Sequence, residues 1–242
     1  QNLTELVVVP GHAVFAGNSH SPTDIHLADA WSLEGFQSAR DIVDFLTHIQ
    51  RGADLMTNTP GALLVFSGGQ TKFRAGMRSE AQSYWEIAQG QNWVPPNDMW
   101  RATTEEFARD SFENIMFSLC RFYELTAHYP VKITVISYQF KQNRFETLHR
   151  TALKIPETKF SYVPLPIENP PDPVKAKGEM NNAFSLFQTD PYGCDGALLE
   201  KKGRRNPFHR HHPYRESCPH LRDLFDYCNG PNKTIFSKLL PW

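Results

Sequence analysis

The chain has 242 residues, is 40% hydrophobic and 12% aromatic, and carries 25 basic against 26 acidic residues for a formal net charge of −1. That composition supplies a sizeable core and excludes global disorder, and the charge balance gives no reason to expect nucleic acid as a partner. No apolar run reaches the ~18 residues that a membrane span needs, so membrane attachment is expected only through a segment absent from this chain.

Leu6-Val7-Val8-Val9 runs into Pro10-Gly11-His12 and reads as a first buried strand with a glycine turn at its carboxyl end. His12 then lands where a ligand would sit, as a general acid or base or a phosphate partner; the alternative is a histidine satisfied by backbone. Residues 16–30 read as a polar loop or lid. From residue 31 to about 55, Leu33, Phe36, Ala39, Ile42, Val43, Leu46 and Ile49 follow helical spacing, with Gly52 as a stop or break.

Residues 62–66 form a continuous apolar run entering Ser67-Gly68-Gly69, a buried strand of the parallel type. The following loop is placed to cradle a ligand through its backbone NH groups. It is neither a Walker loop nor a dinucleotide fingerprint, so an ordinary Gly-Gly turn is the alternative. Lys72, Arg74 and Arg78 lead to Ser79, a predicted N-cap for a helix to about residue 88, and such a basic helix start suits an anion. Glu80 either complements the helix dipole or points into the site.

Thr103-Thr104-Glu105-Glu106 matches a capping box for a helix running to about residue 127. Arg109, Asp110, Ser111, Glu113 and Asn114 make its start unusually polar. Arg109 and Glu113 stand i, i+4 and pair with each other, or else Glu113 and Asn114 face the strand ends. Residues 133–137 are a third strand. At its exit Lys141 and Arg144 stand three apart, either on a solvated basic face or reaching a phosphate or carboxylate at the strand tips. Residues 160–165 form a fourth strand, placed near an edge by Pro164.

From residue 167 the composition changes. Pro166, Pro170, Pro171 and Pro173 suggest a stiff linker, followed by a short helix at 181–188 and a turn at 190–193. Residues 204–212 are dense in Arg and His and read as a surface-packed tail, with metal or anion binding as the alternative. The apolar end Leu239-Leu240-Pro241-Trp242 is expected to dock on the body. Cys120 reads as a buried thiol, and Cys218 with Cys228 closes a short disulfide loop if the compartment is oxidising; otherwise Cys194, Cys218 and Cys228 are free. Two sequons, Asn2-Leu3-Thr4 and Asn232-Lys233-Thr234, fit N-glycosylation. There are no internal repeats.

Alternating strands and helices predict an α/β fold with a mostly parallel sheet covered on both faces. Val-Val-Val-Pro-Gly-His, Phe-Ser-Gly-Gly, Ser-Glu-Ala, Ala-Arg-Asp-Ser-Phe-Glu-Asn and Ser-Tyr-Gln-Phe-Lys-Gln-Asn-Arg-Phe occur in that order over residues 7–145. In this the chain resembles the domain-of-unknown-function family of bacterial YdcF, SanA and ElyC. The spellings His-Ile-Gln-Arg-Gly and Ser-Glu-Ala-Gln-Ser-Tyr and the Leu-Pro-Trp end look like its fungal branch.

The resemblance implies a Rossmann-like three-layer sandwich over residues 1–166, with an irregular C-terminal extension, 167–242, packed on the same domain. It implies Gly11, Ser67, Gly68, Gly69, Glu80, Glu113, Asn114 and Arg144 as site residues. Where bacterial members commonly carry a histidine, this chain has Lys141. Bacterial relatives are tied to envelope biogenesis, and fungal relatives often begin with a membrane anchor. Together with the absent initiator Met and the sequons, this suggests a glycoprotein domain in the secretory lumen or outside the cell; a cytoplasmic protein is the alternative.

The expected function is a hydrolase or transferase acting on a phosphorylated or nucleotide-linked glycan or lipid precursor at the carboxyl ends of the strands. Gly11, Ser67, Gly68, Gly69, Asn114, Lys141 and Arg144 would bind the anion. Glu80, Glu113 or Asp110 would act as general base or help hold a divalent metal ion, and His12 would serve as acid or base. The rival is a non-catalytic nucleotide- or anion-binding scaffold. An S-adenosylmethionine-dependent methyltransferase fits less well, because its glycine turn belongs after the first strand.

Overall fold

The computed structural model describes residues 2–167, 172–228 and 234–242. Pro170, Pro171 and the Asn232-Lys233 pair of the second sequon lie outside them. The protein is α/β, with a five-stranded, all-parallel sheet flanked by helices on both faces. Strand β1 (Glu5–Pro10) is central, and the spatial order is β5-β4-β1-β6-β7, where β4 is Ala62–Ser67, β5 Ala102–Glu105, β6 Lys132–Ser137 and β7 Phe160–Pro164. A two-stranded antiparallel ribbon, β2 (Val14–Phe15) with β3 (Trp31–Ser32), sits apart from the sheet.

Side-chain alternation along a strand builds the three layers. Val7 and Val9 of β1, with Leu64 and Phe66 of β4, pack against helices α1 (Ala39–Thr57) and α2 (Glu80–Gly90). Leu6 and Val8, with Leu63 and Val65, face helix α3 (Ser111–Thr126). The same core cluster includes Leu198, Tyr214, Leu221 and Phe236, so the C-terminal third covers this face of the sheet. At the chain end, Trp242 donates through Nε1 to the carbonyl of Leu153 at 2.8 Å.

Gly52 does not break α1. It lies where the helix crosses the sheet, and a Cβ there would come within 2.5 Å of Val9 Cγ2 and 3.1 Å of Leu64 Cδ1. Valine in a central strand has little rotamer freedom with which to give way. Gly52→Ala is therefore expected to cost about 1–3 kcal/mol by overpacking, read as a lower urea midpoint at unchanged slope.

Several local expectations are corrected. The helix expected from residue 31 begins at Ala39, because Trp31 is buried in the ribbon and donates from Nε1 to Ile25 O at 2.8 Å. Ser38 and Asp41 cap α1, with the Ser38 amide donating to Asp41 Oδ2 at 2.8 Å. The Thr103–Glu106 capping box does not form, since Ala102–Glu105 is edge strand β5, paired with β4. The helix starts eight residues after Thr103, capped by Asp110, whose Oδ1 accepts from the Glu113 amide at 2.8 Å.

Pro173 opens helix α4 (Pro173–Glu179) rather than continuing an extended linker. The disulfide joins Cys194 to Cys228, leaving Cys120 and Cys218 as buried free thiols. Cys218 is turned into the core, with its Sγ 3.3 Å from the Tyr129 hydroxyl.

Candidate functional site

The chain adds β4 and β5 on one side of β1, then crosses back to add β6 and β7 on the other. The order reverses between β1 and β6, and in open α/β sheets ligands bind in the crevice outside the carboxyl ends at that point. His12 leaves β1 there, and Ser137 and Lys141 leave β6. His12 Nε2 lies 3.2 Å from Ser137 Oγ, and its Nδ1 lies 3.3 Å from Lys141 Nζ. The imidazole packs between aromatic rings, with centroids 5.0 Å from Tyr138 and 5.4 Å from His48.

Burial, followed by the Lys141 charge, pushes His12 well below the ordinary histidine range, so it is neutral at neutral pH. Burial also pushes Lys141 down to about 7, helped by repulsion from Arg144, Arg205 and Lys201. With Lys141 protonated, His12 Nδ1 must accept, so Nε2 carries the hydrogen and donates to Ser137 Oγ. The crevice thus pairs a neutral base with a lysine near its titration point.

The glycine loop is adjacent but does not cradle an anion. The Gly68 amide donates to Glu105 O at 2.9 Å and the Gly69 amide to Ala108 O at 2.7 Å. The first two amides of α2, Glu80 and Ala81, donate to the carbonyls of Gly69 and Gly68 at 3.0 and 3.1 Å. These bonds stitch the exit of β4 to α2 and β5, leaving none of these four NH groups for a ligand.

Close approach explains the glycines instead. A Cβ on either Gly11 or Gly68 would come within 2.7 Å of Glu80 Oε2. Glu80 is buried across both turns and accepts a hydrogen bond from the Thr71 hydroxyl. The tips of β1 and β4 are tethered directly, by the Gly11 amide donating to Ser67 O at 2.7 Å.

Ser67 and Asn114 are structural neighbours of that tether. Asn114 Nδ2 is 2.9 Å from both the carbonyl and the hydroxyl of Ser67, and Ser67 Oγ donates to Glu105 Oε2 at 2.6 Å. Glu105 is 1% exposed and also accepts from the Phe107 amide at 2.7 Å. Burial pushes it up to about 7 against these hydrogen bonds.

Asp110 and Glu113 are committed elsewhere. Lys202 Nζ lies 3.3 Å from Asp110 Oδ2 and 3.4 Å from Glu113 Oε1, and Arg109 grips Glu113 through Nη2 at 2.6 Å and Nε at 3.0 Å. Burial opposes ionisation of Glu113, but Lys202 and Arg109 hold it below the usual carboxylate range. Among the described residues, no group of three or more His, Cys, Asp or Glu side chains is placed to hold a metal ion. The divalent ion expected with Glu80, Asp110 and Glu113 therefore has no ready donor set there. Arg144 pairs with Glu179 through Nε at 2.6 Å and Nη2 at 3.0 Å and donates to the Ser111 hydroxyl.

The C-terminal region supplies cations that sequence reasoning missed. Lys201, on helix α5 (Gly196–Arg204), and Arg205 just beyond it act on Lys141 through their charge. Burial and repulsion from Arg205 and Arg144 push Lys201 down to about 8. Arg205 donates from Nη1 to Arg109 O at 3.1 Å, which fixes the segment against the start of α3. The density of Arg and His at 204–212 was the one available signal; the expected surface tail is at Arg205 a wall of the site.

No protein-family model matches the sequence, and no solved structure matches it. Among curated proteins, the chain is similar to the uncharacterized protein YOR238W of Saccharomyces cerevisiae, strain ATCC 204508 / S288c. The two are 31% identical over 270 residues, spanning 88% of this chain and 87% of the yeast protein. On that match the chain belongs to the family of YOR238W.

Proposed function

We propose that the protein is an enzyme, a hydrolase or transferase, acting on a phosphorylated precursor in the crevice between β1 and β6. The observation that supports this best is the contact between His12 Nδ1 and Lys141 Nζ at 3.3 Å, with Arg144, Lys201 and Arg205 gathered around it. Arg144 is paired with Glu179 and Arg205 lies 3.9 Å from Glu34, but Lys141 and Lys201 have no carboxylate in ion-pair range among the described residues, and a cluster with this surplus of positive charge suits an anion.

An entering phosphate draws Lys141 Nζ toward its oxygens and frees the Nδ1 lone pair of His12. His12 then takes the proton of the attacking water or hydroxyl as its oxygen bonds to phosphorus. The bond from phosphorus to the leaving oxygen breaks, and that oxygen takes the proton back from His12. Lys141, Lys201 and Arg205 offset the charge that develops.

The resemblance to the YdcF, SanA and ElyC proteins supports a glycan- or lipid-linked precursor. The Cys194–Cys228 bridge supports an oxidising, secretory or extracellular compartment. A non-catalytic anion binder is the second reading, favoured by the commitment of Asp110 and Glu113 to Lys202 and Arg109.

The test is a turnover panel of p-nitrophenyl phosphate, sugar phosphates, nucleotide sugars and polyprenyl phosphates. Turnover by the wild type that is lost in His12→Gln is expected. Anion binding without turnover of any member would move the reading to the binder.

A further inference from the structure

Beside the crevice a second cleft opens between the segment at residues 32–36, the loop at 71–74 and the carboxyl end of α5. Its volume is about 530 Å³, within the range of small-molecule sites. Lys72, Arg74, Lys201, Arg204 and Arg205 line it, against one carboxylate, Glu34. Glu34 is shared between Lys72 and, at 3.9 Å, Arg205, while Arg204 reaches Glu200 at 3.9 Å. Among the described residues, neither Lys201 nor Arg74 has a carboxylate partner.

Two phenylalanines stand on the same walls, Phe36 84% and Phe73 73% exposed. Large apolar side chains this exposed are out of keeping with a chain that buries most of its aromatics. Phe73 already stacks on Phe208 with centroids 5.8 Å apart and planes 19° apart, which holds its ring in place.

We propose that this cleft is a subsite for a nucleoside diphosphate portion of the substrate, the diphosphate lying on Lys201 and Arg74 and the base stacking on Phe73 or Phe36. Cations without partners need an anion, and an exposed, braced aromatic ring needs a flat apolar face; a nucleotide carries both. A concave volume of this size favours a small molecule over a flat anionic surface such as a membrane. Lys201 and Arg205 face both the cleft and Lys141, so a diphosphate here would hold the reacting phosphoester toward His12. The proposal rests on reading that crevice as the reacting end.

Titration calorimetry of the full chain tests it, with UDP, ADP and GDP against inorganic pyrophosphate and uridine. At least one nucleoside diphosphate is expected to bind tenfold or more tightly than pyrophosphate. Phe73→Ala or Phe36→Ala should remove that advantage, Lys201→Ala should weaken both ligands, and His12→Gln should bind as the wild type does. Equal affinity for pyrophosphate and all three nucleotides, or no binding at millimolar concentration, would overturn the subsite. Turnover of a simple phosphoester without nucleotide binding would sink the subsite alone. Nucleotide binding with no turnover across the panel would leave the subsite standing and sink the enzymatic reading.

Discussion

Replacing His12 with glutamine is expected to lower kcat/KM for a phosphoester by about 10²–10⁴, the usual share of a general acid–base group. Lys141→Ala should give a comparable loss. The stronger check is the pH profile. Catalysis needs His12 neutral and Lys141 charged. His12 sits well below the ordinary value of 6.5, so activity falls on the acid side only below that value. Lys141 loses its proton at about 7, so activity falls as pH rises through 7. The profile of kcat/KM is therefore a bell with its alkaline limb near neutrality. In Lys141→Arg the charge persists, because guanidinium does not titrate in this range. The alkaline limb should then move up toward 8, where Lys201 gives up its proton. A limb that stays near 7 in Lys141→Arg would exclude Lys141 as the group that titrates.

The sheet was legible where strands are buried on both faces. The cores of β1, β4 and β6 are short apolar runs ending in Gly, Ser or Tyr, and each lies in the sheet where its run predicted. Strand β5 was not legible. Ala102-Thr103-Thr104-Glu105 is short, partly polar and at the edge, and the same residues spell a capping box. Pairing with β4 decided the contest, and Asp110 took over the cap. Leu33 and Phe36 fit the helical period of α1 by coincidence; Phe36 lies outside the helix and is exposed.

The site was legible in part for a physical reason. Strand exits converge in any parallel sheet, so His12 and Lys141 could be placed at one end before any contact was known. Whether an amide is free could not be read, because its acceptor lies far along the chain. The Gly69 amide goes to Ala108 O, and the Gly68 amide to Glu105 O. Lys201 and Arg205 stand 60 and 64 residues beyond Lys141, and only tertiary packing of the C-terminal third onto α3 brings them back. The cysteines make the same point. Loop closure favours the shorter Cys218–Cys228 ring, but burial of Cys218 beside Tyr129 leaves Cys194 as the partner.

Glu105→Ala is expected to be the most destabilising single substitution at the strand tips, costing about 3–5 kcal/mol. It removes the acceptor of the Ser67 hydroxyl and the Phe107 amide, at 2.6 and 2.7 Å, and of the Tyr214 hydroxyl at 3.3 Å, and it opens a void where the side chain is 1% exposed. The pH dependence distinguishes this carboxyl from an ordinary ion-pair partner. Its ordinary value is 4.5 and its folded value about 7, so between those limits the unfolded chain releases a proton that the folded chain keeps. Stability must then fall as pH rises from about 4.5 to about 7 and level off above, the opposite sign to a salt-bridged carboxylate. A gap of that size corresponds to about 3 kcal/mol for this one group. Glu105→Gln removes the titration while keeping an acceptor for Phe107 and Tyr214; its amide donates to Ser67 Oγ, whose hydrogen turns to the Asn114 carbonyl at 3.4 Å. Urea unfolding across pH 4.5–8 should show the wild type losing ground to Glu105→Gln as pH rises. Parallel curves for the two proteins would mean that Glu105 is ionised throughout and that its three donors outweigh its burial.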